Sequence, residues 1–221
     1  MFYFFFYVIL QQNRNKMNFI EFKNKIFDLT CFNLNQIYTI QPNFDRNNLT
    51  HWVKKGYLLR LKNGCFTFSD YIGKPDVAYL FANKMYQPSY ISLHSALAYY
   101  EMIPEAIVQI TSVSSLKTVS FTNQFGSFAY KNVKSNLMFG YELRQYNKKQ
   151  NILFATPEKA ILDLLYLYPF YNNEQEITEL RLDEDFLQED LNVELLKEFT
   201  EKFESKALSK RVKILLKIYN L

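Results

Sequence analysis

Cysteine is nearly missing from this chain: Cys31 and Cys65 are the only two, they form no CxxC pair, and His51 and His94 are the only histidines. Four such residues at these spacings support neither a zinc site nor a disulfide framework. Two buried or half-buried thiols in a reducing cytoplasm are the expectation. Glycine and proline are also scarce, at five and six in 221 residues, which excludes a collagen-like or linker-rich chain. Charge of one sign is not strongly in excess, since the net formal charge is +4. That value is compatible with a nucleic-acid partner and does not establish one. A run of about 20 apolar residues, as a membrane span needs, is lacking as well. The opening MFYFFFYVIL is too short for a span, and it has neither the basic start nor the small-residue cleavage site of a signal peptide. No membrane partner is expected. Residues 1–16 read as an apolar leader ahead of a start at Met17, with a short interfacial anchor as the alternative.

What is present suits a folded protein. Hydrophobic residues make up 48% and charged residues 22%, enough for a core, and the length fits a small domain joined to a larger one. Phe (21) and Tyr (17) are abundant, but an AT-rich coding sequence would produce the same bias. The distribution of charge is more informative than its sum. Between Met17 and Lys74 eight basic residues face four acidic ones, whereas Glu174 to Asp190 is strongly acidic.

Phe19, Phe22, Ile26 and Leu29 recur at helical spacing, giving a first helix over Asn18 to Leu29. Asn33 caps a second through Ile40, and Asn43 or Asp45 caps a third that runs to Lys55 and stops at Gly56. Asn63-Gly64 then marks a two-residue hairpin turn. A regular register from it pairs Lys62 with Cys65, Leu61 with Phe66, Arg60 with Thr67 and Leu59 with Phe68. Arg60 and Lys62 would then share an outer face. The expectation is a winged helix-turn-helix over residues 17–74. Residues 75–221 form a larger mixed domain, with helices over Pro75 to Met85 and Ser92 to Met102. Strands between Ile107 and Ala155 form an antiparallel sheet, and C-terminal helices begin at Thr156-Pro157-Glu158. The fold class is α+β.

On the third helix Leu49, Trp52 and Val53 fall on one side and Asn47, Thr50, His51 and Lys54 on the other. Asparagine suits adenine in the major groove, and Thr or His can reach base edges or phosphates. Lys54, with Arg46, Lys55, Arg60 and Lys62, would neutralise phosphates. The competing reading makes this an ordinary polar face with a basic last turn complementing the helix dipole, on a winged domain that binds protein rather than DNA. His94 lacks a catalytic or metal partner at suitable spacing and reads as structural. Phe125-Gly126-Ser127 and Asp183-Glu184-Asp185 echo nucleotidyltransferase motifs but lie too far apart to share one metal-bound nucleotide. Asp183 to Asp190 reads instead as a solvated acidic run. No catalytic residue, cofactor or metal is expected.

The stretches FDRNNLTHWVKKGYLLRLKNGCFTF, YISLHSALAYYEMIPE and ILFATPEKAILDLLYL, in that order around a strand-rich middle, resemble the AbiEi family of antitoxins from type IV toxin-antitoxin systems. The resemblance spans most of Met17 to Tyr168 and fades after Pro169. It implies a non-enzymatic repressor that binds operator DNA through Asn47, Thr50, His51, Lys54, Arg60 and Lys62. It also implies a C-terminal domain that counteracts a nucleotidyltransferase toxin without a stable complex.

Overall fold

The computed structural model describes residues 17–221, and the leader expected over residues 1–16 lies outside them. The chain divides into two compact units. One runs to Pro75 and takes in Asn123–Phe125; the other comprises Asp76–Thr122 and Gly126–Leu221.

The first unit combines three helices with a three-stranded sheet. Helix α1 (Phe19–Ile26) opens with a capping box in which Asn18 and Glu21 satisfy each other's backbone N–H, and it buries Phe22 and Ile26. Strand β1 (Cys31–Asn33) ends on Asn33, which forms a second capping box with Gln36 and so starts α2 (Leu34–Ile40). Helix α3 (Asn47–Lys54) is anchored by the Asp45 carboxylate, which accepts from the Asn47 N–H at 2.9 Å. The N-cap position itself is Arg46, which makes no side-chain capping bond, so neither Asn43 nor Asp45 stands at the expected cap and Asp45 contributes only this bond from one residue earlier. Gly56, at φ +72°, turns the chain out of the helix. Strands β2 (Leu58–Lys62) and β3 (Cys65–Phe68) follow, and antiparallel pairing gives the order β1-β3-β2. The core is aromatic: the Phe22 ring centre lies 4.7 Å from Trp52, 5.3 Å from Phe44 and 5.5 Å from Phe32.

The hairpin departs from the expected register. Lys62 pairs with Cys65 as anticipated, but Arg60 then pairs with Phe66, Leu59 with Thr67 and Leu58 with Phe68, leaving Leu61 as a bulge. The register shifts by one residue between Arg60 and Lys62, ahead of the two-residue turn. Leu58, Leu59 and Leu61 are all buried, so both faces of β2 are covered at these positions.

The second unit is built on a six-stranded sheet in the order β6-β7-β5-β4-β9-β8. Its strands are β4 (Ser89–Ile91), β5 (Gln109–Ser114), β6 (Val119–Asn123), β7 (Gly126–Asn132), β8 (Tyr141–Asn147) and β9 (Gln150–Ala155). The expected all-antiparallel sheet is not found. β4–β5 and β8–β9 are antiparallel, but β5–β7 and β4–β9 are parallel. Both parallel pairs join strands that are not consecutive in the chain: β6 lies outside β7, and β4, which sequence patterning missed, is inserted between β5 and β9.

Helices α4 (Val77–Met85) and α5 (His94–Tyr99) precede β5, and α5 is shorter than the expected Ser92 to Met102. Helix α6 (Pro157–Leu167) begins as expected, with the Thr156 hydroxyl accepting from the Lys159 N–H and Pro157 in the first turn. Every residue from Glu158 to Leu165 is buried, so α6 has no solvent face over that stretch. The acidic side chains from Asp183 to Asp190 are exposed, as a solvated run requires, but the acidic segment also holds two short helices that were not expected. It forms α7 (Glu174–Thr178) and α8 (Glu184–Glu189), capped by Asn173 and Asp183, with Ile177 and Leu187 buried. Caps and single apolar anchors fold these stretches despite their charge. Helices α9 (Val193–Lys202) and α10 (Lys206–Ile218) complete the chain.

Candidate nucleic-acid interface

Helix α3 has one docked face and one free face. Leu49 and Trp52 are each 5% exposed and fix the helix to the aromatic core of its unit. Asn47, Thr50, His51 and Lys54 are exposed, as are the flanking Arg46 and Lys55, while Val53 is half-buried. The Tyr57 N–H donates to the Trp52 carbonyl at 2.9 Å, so the helix passes directly into β2.

The two hairpin cations have different surroundings. Arg60 is exposed, and its guanidinium carbon lies 5.7 Å from the centre of the Phe66 ring. Lys62 is half-buried beside Cys65. Phe66 and Cys65 are consecutive in β3 and face opposite sides of the sheet. The Leu61 bulge therefore removes the expected common face for Arg60 and Lys62.

Among the described residues Arg46, Lys54, Lys55 and Arg60 have no carboxylate within ion-pair distance. Elsewhere in the unit Lys23 is paired with Asp70 at 2.5 Å. Lys55 instead lies 5.9 Å from the Tyr57 ring centre. The free face of α3 and its flanks thus present unpaired positive charge beside amide, hydroxyl and imidazole groups. Such a surface can neutralise phosphates and hydrogen-bond base edges.

The other positions singled out in the sequence are held by local structure. Half-buried His94 meets Tyr168 edge-on at 5.7 Å; burial pushes its imidazole below the usual range, and Glu105 opposes that shift. Gly126, at φ +122°, starts β7, Ser127 follows it, and Asp183 caps α8. Among the described residues no three His, Cys, Asp or Glu side chains are grouped to hold a metal ion. None of the described helices is long and apolar enough to cross a membrane.

Sequence reasoning missed a buried polar network in the second unit. Lys159 and Asp163, one turn apart on α6, form an ion pair with both side chains fully buried. Asp163 also accepts from the Tyr90 hydroxyl at 2.9 Å and the Ser92 hydroxyl at 2.8 Å, and the Lys159 ammonium sits 4.6 Å from the Phe203 ring centre. Burial opposes charge on both, pushing Lys159 down and Asp163 up, while their mutual attraction pulls the other way. A Lys and an Asp one turn apart ordinarily mark a solvated face. The signal against that reading was the apolar surroundings in AILDLLYL. Compared with protein families and with curated proteins, the chain matches none.

Proposed function

We propose that the first unit is a winged helix-turn-helix that binds operator DNA, and that the chain is a transcriptional repressor and antitoxin of a type IV toxin-antitoxin system. In this reading α3 lies in the major groove. Asn47, Thr50 and His51 read base edges there, while Arg46, Lys54, Lys55 and Arg60 neutralise phosphates. The observation that carries it is the exposed, unpaired cationic and polar face of α3 over its buried Leu49 and Trp52. The order of three helices followed by a hairpin that carries Arg60 and Lys62 gives the same support. The second unit carries antitoxicity toward a nucleotidyltransferase toxin without a stable complex, in the cytoplasm and without enzymatic activity. This part rests on the resemblance described above.

A mobility-shift assay with the gene's own upstream DNA at two salt concentrations tests the binding. A sequence-selective shift that weakens with salt is the expected result. Co-expression with a nucleotidyltransferase encoded next to the gene tests antitoxicity through rescue of growth. One observation favours a protein-binding adaptor as the second reading. Ile20 is 72% exposed and Tyr57 42% exposed, and they line a surface concavity with Asn18, Phe19 and Glu21. Absence of any selective shift would move the balance to that reading.

A further inference from the structure

Cys31 lies in β1 and Cys65 in β3, and the fold places these distant parts of the chain on neighbouring antiparallel strands. Cys31 is paired with Thr67 and Cys65 with Asn33, so the two cysteines are diagonal neighbours on one face of the sheet. Both are free and buried, and their side chains are hydrogen-bonded to each other. That bond, joined by the Lys62 ammonium across the hairpin, holds the Cys65 thiol below its usual range although burial pushes the other way. A thiolate-prone sulfur beside a cation, with a second thiol in contact, has the parts of an attacking and a resolving cysteine.

We propose that Cys31 and Cys65 form a modification site, a dithiol that a small peroxide oxidises to an intramolecular disulfide. The Cys65 thiolate attacks one peroxide oxygen and the O–O bond breaks. The departing hydroxide takes up the proton lost by the thiol to give water, leaving Cys65 as a sulfenic acid. The Cys31 sulfur then attacks the Cys65 sulfur, the S–O bond breaks, and the hydroxyl leaves with the Cys31 proton as a second water. Two thiols lose two electrons and the peroxide gains them.

Diagonal neighbours in a sheet stand about 7–8 Å apart, whereas bridged cysteines have Cα separations of about 4.4–6.8 Å. Closure therefore draws β1 and β3 together, and the resulting strain favours reversal by a thiol reductant. The bridge would fasten the Asn33 cap of α2 to the base of the Asn63-Gly64 turn.

The test treats the full chain, natively folded, with hydrogen peroxide, and follows intact mass and thiol content. Because these are the only cysteines, the count is unambiguous. The expected product is a monomer lighter by two hydrogen atoms, with both thiols lost and both restored by dithiothreitol. The Cys31→Ser variant should stop at a Cys65 sulfenic acid that dimedone traps. Three results would overturn the site: both thiols surviving until the protein is denatured, disulfide-linked dimers as the product, or oxygen added to Cys65 in the unmutated protein while Cys31 keeps its thiol. None of these readouts depends on DNA binding.

Discussion

Arg60 stands across the hairpin from Phe66, and its guanidinium carbon lies 5.7 Å from the centre of that ring. The ring lies within cation–π range of the guanidinium, and the Arg60 side chain is exposed. If the first unit binds DNA as proposed, replacing Arg60 with Ala is expected to weaken that binding about equally for all sequences and to lower the salt slope by about one. Lys62→Ala should have the smaller effect, because Lys62 is half-buried beside Cys65. Fluorescence anisotropy across a salt series measures both, and a larger loss for Lys62→Ala would count against Arg60 as the main contact from the hairpin.

Asn47 differs from the cations in what its loss should do. If it reads a base, Asn47→Ala loses about 1–3 kcal/mol of discrimination at one operator position and leaves the salt slope unchanged. Competition between the operator and its single-base variants checks this. Equal weakening for every sequence would assign Asn47 to the phosphate backbone.

The Lys159–Asp163 pair should dominate mutational sensitivity in the second unit. Lys159→Met leaves the Asp163 carboxylate buried without its cation, and such a removal lowers stability by about 3–5 kcal/mol. Lys197→Met, which breaks the exposed pair with Glu194, should change it by about 1 kcal/mol or less. Urea titrations of the two variants give the comparison; equal shifts would contradict the weight placed on burial.

Gly140 has φ +67°, and a Cβ added there would lie 2.7 Å from Phe199 Cε2 and 3.1 Å from Lys159 Cβ. Gly140→Ala therefore combines backbone strain with overpacking and is expected to destabilise by about 1–3 kcal/mol in thermal or urea unfolding. A neutral result would mean that the Phe199 ring moves aside freely.

His94 gives the fold a pH dependence whose sign follows from its surroundings. Its folded pKa is lowered by burial, so the neutral form is favoured. The stability it contributes is present above the unfolded value of about 6.5 and is lost as pH falls through that value toward the folded one. Urea midpoints for the wild type should decline between about pH 7 and pH 5, and His94→Gln should flatten that decline. An identical slope in the variant would show that other groups set it.

The legible elements were those defined by local chemistry. Asn33, Thr156-Pro157 and Gly56 mark helix ends through backbone hydrogen bonds or φ alone, and each stands where its residue type suggests. The exposed and docked faces of α3 follow from 3.6-residue periodicity in the same way. Features decided by distant partners were not legible. The register shift at Leu61 and the parallel pairing of β4 with β9 both depend on which strands meet across their sheets. Three-residue strands such as Ser89–Ile91 are too short to show a period. Likewise Cys31 and Cys65 become neighbours only once β1 and β3 pair.

Helix α6 packs against α5, α9, α10 and β9. Exposing its backbone to solvent would mean parting several of these elements at once, an opening close in free energy to unfolding of the whole unit. Its amide protons should accordingly be among the last to exchange with deuterium, well after those of α7, whose five residues bury only Ile177. Exchange rates along the second unit would thus trace the order in which it comes apart, from the acidic helices inward.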